Sequence, residues 1–197
     1  MSLTATTKLE AVNIMLSTIG ENPVNSLTSG LVDAELAETI LGSVSKSVQS
    51  EGWNFNTEKK VSYSADTSGH ILLPANILRA DATVEADALD LVQRGLKMYD
   101  KKNHTFVINQ AVNLDIIIEL DFEILPEVAR RYITLKSARI FQDRVVGSET
   151  LHKFNQEDEF FAYSQLKDFE ADSEDISIFD NNSVYSVVDR IGQLRVT

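Results

Sequence analysis

The residues that could carry chemistry in this chain are three histidines, thirty carboxylates and one cluster of arginines. His70, His104 and His152 lack the HxxxH or HExxH spacing that sets two imidazoles on one helical face around zinc. They read instead as strand, turn and helix-surface residues, and no metal or other cofactor is expected. Cysteine is absent, which removes disulfides, cysteine-bound zinc, iron–sulfur clusters and thiol nucleophiles. No GxGxxG, GxxxxGK or GxSxG occurs, so dinucleotide, P-loop and serine-hydrolase chemistry has nothing to rest on. Two carboxylates flanking a cleft could hydrolyse a glycosidic bond, but thirty acids make some pair inevitable. The expectation is a non-enzyme, with a glycan hydrolase using a carboxylate pair as the alternative.

Charge is distributed unevenly. The stretch Leu125 to Gly147 carries Arg130, Arg131, Lys136, Arg139 and Arg144 against only Glu127 and Asp143, in a chain of net charge −12. Either this is a core helix with a solvated basic back, or it is a seam that meets another subunit. Acids run from Glu157, Asp158 and Glu159 through Asp168, Glu170 and Asp172 to Glu174 and Asp175, with Lys167 the only base among them. The basic and acidic runs could pair across subunits or inside one. A pI near 4.6 argues against a general surface that grips DNA, since phosphate binding is built from clustered Lys and Arg.

The elements that must position these charges follow from periodicity. Thr7-Lys8-Leu9-Glu10 fits a capping box, opening a helix with Leu9, Val12, Leu16 and Ile19 as its stripe and Gly20 as its end. A turn-rich connection around Pro23 leads to a second helix, Asp33 to Ser50, with Ala37, Leu41, Val44 and Val48 inward. Pro126 suits the first helical position and Glu127 the positive end of the helix dipole, so a third helix starts there. Its stripe runs through Val128, Tyr132, Leu135 and Val145, widened by Ile133 and Ile140, to a glycine cap at Gly147. A fourth helix, about Glu149 to Phe169, presents Leu151, Phe154, Phe161, Leu166 and Phe169.

Between the helix pairs, polar and apolar residues alternate. Lys60 to Ala65, His70 to Leu73, Ala80 to Val84, Leu89 to Gln93, Leu96 to Tyr99, Thr105 to Ile108 and Leu114 to Leu120 are strand candidates, with Asp100 to Asn103 as the hairpin turn. Trp53, with Phe55 beside it, is placed as a plug between bundle and sheet rather than as a ligand-stacking ring. The fold class is therefore α+β: an antiparallel helical bundle with a small antiparallel β insertion and an extended C-terminal arm. The expected division is a discontinuous bundle from 1–52 and 126–172, a β-rich insertion over 53–125 and an arm over 173–197. The arm holds Ile176, Ile178, Phe179, Tyr185, Val187, Val188, Ile191 and Leu194, too apolar for a solvated tail, and is read as docking on a partner, with a disordered tail as the competing reading. No apolar run approaches the roughly 20 residues of a membrane helix, and the N-terminus lacks the pattern of a secretion signal, so neither membrane insertion nor processing is expected.

Three stretches carry a resemblance. Ala11 to Leu27 (AVNIMLSTIGENPVNSL), Gln49 to Glu58 (QSEGWNFNTE) and Leu125 to Gly147 (LPEVARRYITLKSARIFQDRVVG) resemble, in order and spacing, the corresponding parts of the tail tubular protein A, or adaptor, family of T7-like podophages. The resemblance implies a virion protein of the tail, assembled in the bacterial host cytoplasm. Twelve copies would form a ring between the capsid portal and the tail nozzle, in reach of tail fibres, with phage DNA passing through without specific binding. On that reading Arg130, Arg131, Lys136, Arg139, Arg144, Glu157, Asp158 and Glu159 become candidates for the subunit interface, because a closed ring joins two different surfaces of each copy. The eight apolar arm residues become candidates for portal contact.

Overall fold

A computed structural model of the chain describes residues 5–82 and 89–173. Four helices, α1 (Lys8–Ser17), α2 (Val32–Gln49), α3 (Glu127–Val145) and α4 (Glu149–Ser173), flank a run of five strands, β1 (Thr57–Tyr63), β2 (Ile77–Ala82), β3 (Leu91–Arg94), β4 (Lys97–Asp100) and β5 (Val112–Ile118). The strands form one antiparallel sheet in the order β1-β5-β2-β3-β4. The class is α+β, as expected. The calls on Val84 and on 174–197, including all eight portal-contact candidates, lie outside the described residues.

Helix starts follow local chemistry. The Thr7 hydroxyl accepts from the Glu10 amide at 3.2 Å while the Glu10 carboxylate accepts from the Thr7 amide at 2.8 Å, so the capping box forms. Pro126 sits one place earlier than expected, at the N-cap of α3, with Glu127 as the first helical residue. At the other end Gly147, at φ +67°, donates to the Gln142 carbonyl at 3.0 Å and stops the helix.

Two apolar cores result. One gathers Val12, Met15 and Leu16 of α1, Ile40, Leu41 and Val48 of α2, Ile133, Ala138 and Phe141 of α3, and Ala162 and Leu166 of α4. The other fills one face of the sheet with Ile71, Met98, Leu114 and Ile116 among others. Trp53 is buried in the helical core at the crossing between the two, its indole N–H donating to the Val48 carbonyl at 2.7 Å and its ring lying parallel to Phe55 at 6.3 Å.

Side-chain amides fasten the crossings. The Gln49 amide donates to the Leu120 carbonyl at 3.0 Å and accepts from the Leu120 amide at 2.7 Å. Asn56 donates to the carbonyls of Gln49 and Ile118, both at 2.9 Å, and accepts from the Trp53 amide at 2.9 Å. Gly52, between these groups at φ +81°, leaves no room for a side chain: a Cβ there would lie 2.6 Å from Ile117 Cδ1. Gly52→Ala is expected to cost about 2 kcal/mol through left-handed backbone strain and displacement of Ile117, read as a fall in the urea midpoint.

The sheet departs from the sequence reading at two strand candidates and at the hairpin turn. His70 to Leu73 and Thr105 to Ile108 are not strands; each makes one isolated bridge, Leu72 with Lys97 and Thr105 with Asp100. Pro74, without an N–H, follows the first run directly, and left-handed backbone at His104 and Asn109 bends the second at both ends. The β3–β4 hairpin turns at Gly95 and Leu96, whereas Asp100 to Asn103 closes the bridge to Thr105.

Asp100 organises that second turn. Its buried carboxylate accepts from the Asn103 side chain at 2.6 Å and from the amides of Lys102 at 2.9 Å, Asn103 at 3.3 Å and Asp90 at 3.4 Å. Burial alone would raise its pKa, but the hydrogen bonds from Asn103, Lys102 and Asp90 outweigh it and hold the group below 3.8. The carboxylate thus stabilises the fold above the unfolded-state pKa, and that contribution is lost as pH falls through the lower folded value. In thermal melts taken downward from about pH 5, Asp100→Asn is expected to lose less of its melting temperature than the parent chain. Parallel acid limbs would contradict this role.

Candidate functional site

The charged candidates divide sharply. Arg130 is not on a solvated back: it is 9% exposed, and its guanidinium donates to the carbonyls of Leu125 at 2.8 Å, Thr6 at 2.9 Å and Glu123. Its role is to tie the incoming chain and the turn Phe122–Ile124 onto α3, so it is committed inside the subunit. Beside it Glu127 accepts from the Thr6 amide at 2.7 Å and hydroxyl at 2.6 Å.

Arg139 is also engaged within the chain. It lies between α3 and α4, 2.5 Å from Glu159 and 3.5 Å from Asp143, which in turn holds His152 Nδ1 at 2.9 Å. The hydrogen bond that the guanidinium donates to Glu159 chiefly pushes the arginine pKa above its ordinary value, against the opposing pull of burial, with the charges of Glu159 and Asp143 adding to it. One basic–acidic pair of the sequence reading therefore meets inside one subunit and staples the α3–α4 hairpin. Lys136 is half-buried against Tyr132, 3.2 Å from its hydroxyl and 5.2 Å above its ring. Lys167, the lone base of the acidic run, lies 4.5 Å over the Trp53 ring.

Arg131, Arg144, Glu157 and Asp158 remain exposed, and among the described residues none of the four has an ion-pair partner. Near them lies the feature that sequence reading misassigned. The N-terminal part of the stripe expected to bury α4 faces water: Phe154 is 63% and Phe161 59% exposed, and Leu151 is exposed, as is Phe160 beside it, whereas Leu166 of the same stripe is buried as expected. What α4 buries against α3 is Ala162 and Leu166, with Tyr163 tilted against Tyr132 at 5.1 Å. Val145, assigned to the α3 stripe, is likewise exposed, next to Val146. The spacing of Leu151, Phe154, Asp158 and Phe161, alternately three and four residues, marks one side of α4 as a seam without saying whether that side turns inward or outward.

Hollows on the surface are shallow. The one between α2 and the segment after β5 measures about 470 Å³ and brings Glu119, Asp121 and Glu123 near Lys8, but Glu119 already pairs with Lys46 at 3.4 Å. Among the described residues no group of three or more His, Asp or Glu is placed to hold a metal ion, and no helix is long and apolar enough to cross a membrane. Exposed Phe154, Phe160 and Phe161, with Arg131, Arg144, Glu157 and Asp158, lie on the outside of the helical layer.

Such a subunit, with its unmatched groups turned outward, is built as a component of an assembly. Residues 9–176 match the model of the tail tubular protein family. Tail tubular protein A of Klebsiella phage KP34 is 29% identical over 163 residues, covering 82% of this chain and 86% of that relative. The chain belongs to the tail tubular protein family, which makes it a structural component of a phage virion tail.

Proposed function

We propose that this chain is the adaptor subunit of the head-to-tail junction: copies close into a ring of twelve between the capsid portal and the tail nozzle, and the ring forms part of the channel for DNA ejection. The observation that carries this reading is the combination of family membership with an outer helical surface bearing exposed Phe154 and Phe161, the acids Glu157 and Asp158 and the bases Arg131 and Arg144, none of the four charges having an ion-pair partner among the described residues. A closed ring needs two unlike surfaces per copy, and those groups supply apolar area and both signs of charge. The segment 174–197 follows α4 as the arm, with Ile176, Ile178, Phe179, Tyr185, Val187, Val188, Ile191 and Leu194 as the residues that meet the portal. An acidic chain lets duplex DNA slide, since few Lys and Arg are available to release counterions and hold phosphate.

Negative-stain imaging of the purified chain with and without its portal tests the reading. Annular particles with rotational symmetry, on the portal or alone, are the expected result, together with no release of sugar from host polysaccharide. A chain that stays monomeric beside the portal would overturn it.

A further inference from the structure

The outward side of α4 is patterned for a particular partner. Leu151, Phe154, Asp158, Phe161, Gln165 and Asp168 follow one another at alternating three- and four-residue steps, so they line one side of the helix, and all six are exposed. This line is apolar toward its start and acidic toward its end. Laid antiparallel on its own copy, it would bury Asp168 against Leu151 and Asp158 against Phe161; laid parallel, it would set Asp158 on Asp158. Both arrangements desolvate carboxylates without a counter-charge. The matching surface must therefore be a different one, apolar and carrying a free base.

This chain has such a surface. A groove of about 190 Å³ between α1 and α3 is lined by Thr6, Ile14, Glu127, Arg131, Thr134 and Leu135. A cavity of about 150 Å³ suffices for a benzene ring, so the groove has room for one phenyl group. Ile14 on its wall is exposed, as is Arg131. The groove's own acid is spent, because Glu127 is held by the Thr6 amide and hydroxyl. What it offers a visitor is a hollow with Ile14 and Leu135 as its apolar wall, and one cation, Arg131.

We propose that Phe161 of one copy seats in the α1–α3 groove of the next copy, with Asp158 of the first beside Arg131 of the second. Phe161 and Asp158 are three residues apart on α4, so a single helical face delivers both ring and carboxylate. Seam and groove are different surfaces of one subunit, so the contact is heterologous and repeats from copy to copy. This assignment rests on the adaptor reading and names the surfaces through which the ring closes.

The absence of cysteine makes the test clean. The double variant Arg131→Cys/Asp158→Cys, oxidised on the portal, is expected to give a ladder of covalent multimers on a non-reducing gel, while neither single variant cross-links. Arg131→Glu or Asp158→Arg alone is expected to weaken association at least about ten-fold, and the two together to restore it, because each single change leaves like charges facing across a desolvated contact. All these positions are exposed, and an unchanged melting temperature confirms that each variant folds. Annular particles without a ladder, dimers from Asp158→Cys alone, or additive charge effects overturn the surface assignment and leave the adaptor reading standing. Absence of annular particles from the unmodified chain on its portal overturns both.

Discussion

Replacing Arg130 with methionine is expected to lower stability by about 3 kcal/mol, because it strips the donor from three backbone carbonyls at once. Those carbonyls, on Thr6, Glu123 and Leu125, come from the segment before α1 and the turn that leads into α3. Among the described residues the arginine has no carboxylate partner, so the guanidinium is worth what its fork of donors satisfies. Methionine keeps most of the apolar stem, which assigns the loss to the lost hydrogen bonds rather than to packing. Lysine offers a point charge instead of a planar fork and is expected to recover less than half of the loss. Urea unfolding provides the readout, as a fall in midpoint with an unchanged slope. A loss for methionine below about 1 kcal/mol would mean that water satisfies those carbonyls as well as Arg130 does.

Phe141 and Phe161 should respond in opposite ways to the same substitution. Phe141 is fully buried in the helical core, and Phe141→Ala is expected to cost about 4 kcal/mol, the transfer of the ring plus the cavity it leaves. Phe161 is mostly in water, and Phe161→Ala is expected to move the stability of the single subunit by no more than about 0.5 kcal/mol. Its effect belongs to association, where removal of the ring should weaken copy-to-copy contact. Equal unfolding free energies for the two variants would contradict the burial pattern of α4.

Where a feature depends on neighbours in sequence, it was legible. The capping box at Thr7 and Glu10, the start of α3 next to Pro126, the glycine cap at Gly147 and the change from helical to alternating texture at Gly52 all rest on a few adjacent residues. The family, too, was readable from three ordered stretches. The face of α4 was not. Size and apolarity favour Leu151, Phe154, Phe161 and Leu166 as one buried stripe, yet of these only Leu166 is buried, joined by Ala162 and Tyr163 at the close approach of α3 and α4, which leaves the other three outside. A helix with two seams gives no local sign of which one the monomer uses. Arg130 escaped for a related reason: it stands among Arg131, Lys136 and Arg139 on one helix, and only the return of Thr6 and the turn before α3 supplies the carbonyls that bury it. Arg139 and Glu159 were both recognised as charges in need of partners, and the hairpin between α3 and α4 decides that they serve each other.

Gln49 and Asn56 give the molecule a mechanical character. Both passages of the chain between helices and sheet are gripped by amides that bond backbone on each side, so neither is a swivel. A torque applied to the sheet is delivered to the end of α2 as rotation, with little slack to absorb it. The subunit is thus a short lever, and displacement at its β end is expected to reappear among its helices.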